Sequence, residues 1–244
     1  MTACGKQTPE LVDTTSLNIS FRAIYDGEPL ILAAEKKYNY DENVVTFTDV
    51  SFYLANLVAI NDDGETELSE IQFIDLSLTH QTPATAAKGT VMTFNRIPVG
   101  TYNYLKFGVG VPPDLNKTTP ADYSTSHPLG INNNTAYKEI WNSYIFAKIE
   151  GKYDKNGDGF FDSNDIIFAY HAGGLENLYK VIELDNQLTL KTGETTDLDF
   201  ELDIKRLLSF NNGETIDLQP YNPLNQTSEI QLIMKNFEKA LQLK

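Results

Sequence analysis

The chain has 244 residues, with 19 Lys and Arg against 34 Asp and Glu, a formal net charge of −15. Such a surface repels phosphate backbones and anionic bilayers, which argues against nucleic acid as a partner; cations and neutral ligands meet no such penalty. The single cysteine, Cys4, excludes an intrachain disulfide, a CxxC redox pair and a cysteine-based zinc site, and the length suits one domain with a large core.

At the N-terminus, Met1-Thr2-Ala3-Cys4-Gly5 resembles the end of a bacterial lipoprotein signal, in which the Cys becomes the acylated first residue. On that reading residues 1–15 are a polar tether and residues 16–244 a single domain. The alternative is an incidental thiol on a frayed terminus. No apolar run is long enough to cross a bilayer, so membrane contact is expected only through a lipid on Cys4.

Residues 17–24 alternate apolar and polar side chains with a period of two, the mark of a half-buried strand, and Asp26-Gly27 turns the chain. Residues 29–34 read as a short return segment and 36–43 as a tyrosine-rich polar link. Residues 44–60 are dense in β-branched and aromatic side chains and predict two strands with a bend near Asp49. Further strands are expected at 71–76, 91–97 and 104–111, with a loop at 82–89. The glycines in the third of these strands suggest a bulge or a close backbone approach. Residues 112–135, rich in Pro, Asn, Thr and Asp and carrying His127, form a long loop of the kind that holds binding sites. Strands follow at 143–150, 166–170, 179–184, 187–190 and 196–204, and apolar residues at helical spacing over 230–243 predict a helix. The expected fold is all-β, an antiparallel β-sandwich with long loops and a short C-terminal helix.

Between two of those strands lies DKNGDGFFDSND, residues 154–165. Oxygen side chains recur at loop positions 1, 3, 5, 9 and 12 (Asp154, Asn156, Asp158, Asp162, Asp165), Gly159 occupies position 6, and position 7 offers the carbonyl of Phe160. Ca²⁺ takes roughly six to eight oxygens from a chain that wraps it with a sharp turn at glycine, so the spacing predicts calcium. Asp165 is one methylene shorter than the Glu usual at the last position. Asn-Gly and Asp-Gly also make plain hairpin turns, which is the competing reading. Because strands flank the loop, its ion would act as a structural clamp and not as the trigger of a helical sensor.

No nucleophile elbow, phosphate loop or histidine metal motif is present, and none of His80, His127 and His171 is spaced for joint ligation, so a binding protein is expected and not an enzyme. The stretch from Trp141 to Gly151 is unusually aromatic, which core packing explains in large part.

Several ordered motifs then carry a likeness to a family. FYLANL at 52–57, VGTY at 99–102, FGVGV at 107–111, Asn116, HPL at 127–129, residues 141–151 and HAGG at 171–174 follow one another as they do in the MbnP-like proteins, which the chain resembles over about residues 17–210. The resemblance implies a periplasmic or cell-surface β-sandwich, often an outer-membrane lipoprotein, in agreement with Cys4. It also implies copper, which the characterised branch holds through histidines and an oxidised tryptophan. By position His127 and His171 correspond, with Trp141 a further candidate, although Trp141 is the only tryptophan and no Trp-x-His pair is present. Imidazole suits copper. The rival reading is a surface or glycan-binding module with purely structural calcium.

Overall fold

A computed structural model describes residues 13–32, 36–175, 178–222 and 226–244. Cys4, with most of the expected tether, lies outside these residues. The strands run β1 (Thr14–Tyr25), β2 (Glu28–Pro29), β3 (Tyr38–Tyr40), β4 (Asn43–Asn61), β5 (Gly64–Asp75), β6 (Thr90–Pro98), β7 (Gly100–Val109), β8 (Tyr137–Lys138), β9 (Ser143–Tyr144), β10 (Ala147–Tyr153), β11 (Ile166–Ala172), β12 (Lys180–Leu190), β13 (Thr195–Asp203) and β14 (Leu241–Leu243). Three short or terminal helices join them: α1 (Pro83–Lys88), α2 (Ile204–Leu207) and α3 (Thr227–Ala240).

The expected sandwich is present. One sheet runs β14-β13-β1-β2 with β6 also on β1; the other runs β11-β10-β4-β7-β12 with β3 and β5 also on β4. Pairing is antiparallel except between β1 and β13, which run side by side in register from Ser16↔Thr195 to Ile24↔Asp203. Alternation explains why the two sheets face each other: Leu17, Ile19, Phe21, Ala23 and Tyr25 of β1 are all buried, as are Phe47, Phe52 and Leu54 of β4. Phe21 sits at the seam, stacked on Phe200 at 5.1 Å and edge-on to Phe52 at 6.0 Å. The amphipathic α3 closes the core, burying Ile230, Ile233, Met234 and Phe237 and setting Phe237 against Phe52 at 5.4 Å.

Several local expectations change. Residues 43–61 form one nineteen-residue strand and not two: the irregularity expected near Asp49 is there as a register shift against β10, with Asp49 opposite Glu150 and Phe47 opposite Gly151, and a second falls at Leu57/Val58 beside a left-handed Asn56 with φ of 50°, but neither ends the strand. The expected loop at 82–89 is helical: Thr82 and Thr85 cap each other and Pro83 fills the first turn. The strand at 143–150 splits into β9 and β10, the two segments at 179–190 merge into β12 across a bulge, and the long loop carries short 3₁₀ turns at Leu115–Lys117, Pro120–Asp122 and Ile131–Ala136. Thr14 and Thr15, assigned to the tether, already belong to β1.

The β4–β10 ladder that leads to the 154–165 loop shifts register between Glu150 and Gly151. A Cβ on Gly151 would lie 2.1 Å from the Thr46 carbonyl oxygen and 2.6 Å from the Phe168 ring. Gly151→Ala is therefore expected to cost roughly 2 to 3 kcal/mol, read as a lower midpoint in urea unfolding; an unchanged midpoint would show that the ladder yields there.

Candidate functional site

The 154–165 loop joins β10 to β11, which pair from Ala147↔Ala172 to Tyr153↔Ile166. Asp154, the first residue beyond β10, is 1% exposed, and its amide donates to the Val44 carbonyl at 3.0 Å. Its Oδ1 accepts the Gly157 amide at 2.8 Å and its Oδ2 the Gly159 amide at 2.7 Å. Both glycines are left-handed, with φ of 74° and 81°, which curls the chain back over the carboxylate. The later acids repeat the pattern: Asp158 Oδ1 accepts the Phe160 amide at 2.8 Å, and Asp165 accepts the Lys155 amide at 3.0 Å and the Asp162 amide at 2.7 Å. Asn156 Oδ1 accepts the Asp158 amide and Asp162 Oδ1 the Asn164 amide. The Lys37 ammonium donates to the Gly159 carbonyl and lies 5.3 Å from the centre of the exposed Phe160 ring.

The donor set is all oxygen, and each carboxylate oxygen bound by one N–H keeps a second lone pair, which suits a hard cation. The loop is nevertheless built around its amides. Among the described residues no three His, Cys, Asp or Glu side chains are grouped to hold a metal ion.

The histidines fall into three different settings. His80 is fully buried; its Nε2 accepts the Ala23 amide at 2.9 Å and its Nδ1 donates to the Leu76 carbonyl at 3.0 Å, so it is a structural staple that burial keeps neutral by pushing its pKa down. His127, in the long loop, accepts the Leu129 amide on Nδ1 at 3.1 Å and stacks on Tyr123 at 4.2 Å. His171, on β11, is 7% exposed, and its Nε2 lies 2.7 Å from Glu150 Oε1. Its other nitrogen, Nδ1, is buried with no hydrogen-bond partner among the described residues.

Strand register makes the His171 arrangement. His171 sits opposite Lys148 on β10, and Glu150, two residues along the same face, reaches it diagonally. Lys148 is turned toward Asp49 on the next strand at 2.8 Å, leaving Glu150 to the imidazole. The His171 bond holds the Glu150 carboxyl below its ordinary range, against the effect of burial, with Lys148 adding to the shift. A carboxylate on Nε2 fixes the tautomer that carries its proton there and leaves a lone pair on Nδ1. Tyr221 covers the ring, with centroids 5.0 Å apart.

Of the candidate copper residues, His127 and His171 share no hydrogen-bond partner among the described residues. Trp141 does meet the His171 strand end: its Cγ lies 2.8 Å from where a Cβ on Gly174 would stand. Sequence reasoning missed Glu150 and Tyr221. Glu150 was legible in principle, because strand alternation places it and Lys148 on one face.

A family model for MbnP matches residues 14–231. Among solved structures, MbnP from Methylosinus trichosporium superposes with a TM-score of 0.54 at 14% identity, covering 87% of this chain and 82% of that one, a likeness of fold. No curated protein matches the chain.

Proposed function

This chain belongs to the MbnP family, and we propose that it is a metal-binding protein of the bacterial cell envelope, lipid-anchored through Cys4, that takes copper at His171 and catalyses no reaction. One observation carries the copper assignment: the imidazole of His171 is buried, oriented from behind by Glu150, and presents an Nδ1 with no partner among the described residues. Metal-bound imidazoles are held in this way, the second nitrogen donating to a carboxylate that fixes the ring and raises its basicity. His127, through its remaining Nε2, and Trp141 are the further candidate ligands. Copper supplies a soft, imidazole-seeking cation there; the protein's part is to fix the tautomer and exclude water. Anaerobic Cu(I) titration against a chromophoric competitor tests the reading. One tight equivalent per chain is expected, and failure to take copper from the competitor would sink it.

The second metal of this reading is calcium at Asp154, Asn156, Asp158, Phe160, Asp162 and Asp165. It is supported by the buried Asp154, around which Gly157 and Gly159 curl, and by the oxygen side chains that follow at Asn156, Asp158, Asp162 and Asp165, the first three of them exposed. An ion that binds only the folded chain stabilises it by about 2.7 kcal/mol at a hundredfold excess over its dissociation constant. Melting in EGTA is accordingly expected several degrees below melting in calcium, and coincident curves would favour the plain turn.

A further inference from the structure

A cleft of about 690 Å³ opens where the long loop meets the ends of β7, β9 and β11. Its aromatic lining is fitted to the backbone at glycines. A Cβ on Gly108 would fall 2.0 Å from the Tyr179 hydroxyl, one on Gly110 2.7 Å from the Phe146 ring, and one on Gly174 2.8 Å from Trp141. Three rings are thus drawn down against main chain where any other residue would lift them away, which makes room above. Leu175 and Leu178 extend the apolar floor.

The polar side of the cleft is rigid. Asn116 Oδ1 accepts both the Tyr144 amide at 3.0 Å and the Ser143 hydroxyl at 3.2 Å, and Ser143 Oγ in turn accepts the Gly174 amide at 3.2 Å. The charge there runs against that of the molecule. Among the described residues no Asp or Glu lines the cleft, and Lys117 is the one charged residue that does. Among the described residues Lys117 pairs with Asp114, at 3.9 Å, and both side chains are well exposed, a pair that costs little to break.

We propose that this cleft binds a planar aromatic small molecule bearing an acidic group, its ring lying against Trp141, Phe146 and Tyr179 and its anion meeting Lys117. The volume falls within the roughly 300 to 1,000 Å³ of ordinary small-molecule sites, and apolar walls with a few placed polar groups are their usual make-up. Aromatic contact supplies the affinity, and the Lys117 ammonium favours an anion in a protein whose net charge otherwise repels one. The cleft shares Trp141 with the copper candidates but does not include His171, so loss of copper binding in His171→Ala and loss of ligand binding in the cleft are read separately.

The sole tryptophan makes the test direct. Energy transfer from Trp141 to 8-anilinonaphthalene-1-sulfonate, an aromatic anion, and to neutral N-phenyl-1-naphthylamine is followed as each dye is titrated into the full chain. Saturable one-to-one binding of both is expected. Lys117→Glu, at an exposed position, should weaken the sulfonate about tenfold and leave the neutral dye within about twofold, while Leu175→Gln, which removes apolar floor without adding charge, should weaken both. His171→Ala should bind both as the parent does. Absence of saturable transfer, a sulfonate isotherm unmoved by Lys117→Glu, or isotherms of both dyes unmoved by Leu175→Gln would overturn the proposal.

Discussion

Asp154→Ala is expected to lower the unfolding free energy by about 2 to 4 kcal/mol even in a chelator, because it strips the acceptors from two amides at once. Asp154 is 1% exposed and takes the Gly157 and Gly159 amides on separate oxygens. With the carboxylate gone, the turn loses the two acceptors that curl it back, for the exposed Gly157 amide and the half-buried Gly159 amide. Asp162 differs. It is exposed and accepts the Asn164 amide within its own short turn, so Asp162→Ala should cost little in the chelator. In saturating calcium the order narrows: Asp162→Ala should then lose most of the stabilisation that the ion gives the parent. Urea unfolding of both variants, with EGTA and with calcium, separates a carboxylate that folds the loop from one that serves only an ion. If Asp154→Ala unfolds like the parent in EGTA, the amide-capping role fails. If Asp162→Ala gains as much from calcium as the parent does, the ion does not use that carboxylate.

That contrast also shows which parts of the molecule were legible in the sequence. The loop announced itself because its grammar is local, with every oxygen and both glycines within twelve residues. The half-buried strands did so through their period of two. What could not be read depends on distant partners. The parallel pairing of β1 with β13 joins residues 179 apart, as in the Asn18–Asp197 hydrogen bond, and nothing in either segment declares its direction. The last three residues of the expected terminal helix, Leu241–Leu243, become β14 because β13 offers a free edge opposite Phe200 to Leu202. The single long β4 hid its continuity because its partners absorb both irregularities, the register shift against β10 beside Asp49 and the left-handed Asn56, without a break in the strand. Helix α1 had its signal in the Thr82–Thr85 box, but six residues are too few to show a helical period. The same distinction divides the copper candidates. His171 gained a meaning only when register placed Glu150, 21 residues earlier, against it, whereas His127 turned to its own loop.

Copper binding is expected to follow that division. His171→Ala should abolish the tight site, and His127→Ala should leave more of it, since only His171 is oriented by a carboxylate. The decisive variant is at Glu150, which touches no metal in this arrangement and acts as a positioning residue. Glu150→Ala should weaken copper by roughly 10- to 100-fold, the usual cost of losing a partner behind a ligating imidazole. Glu150→Gln, whose amide oxygen still accepts the Nε2 proton, should recover part of that loss. A merely structural Glu150 would lower stability without moving copper affinity, so both are measured on the same preparations. Their pH dependence has a defined sign. The folded chain holds the Glu150 carboxyl below its ordinary range, chiefly through the His171 bond. The stability this confers is therefore full above about pH 4.3, the unfolded glutamate value, and is lost as the pH falls through the lower folded value. Glu150→Gln, with nothing to titrate there, should differ most from the parent near neutral pH and converge on it in acid. If Glu150→Ala retained parental copper affinity while His171→Ala lost it, the imidazole would bind without its carboxylate, and the tautomer argument for Nδ1 would fall.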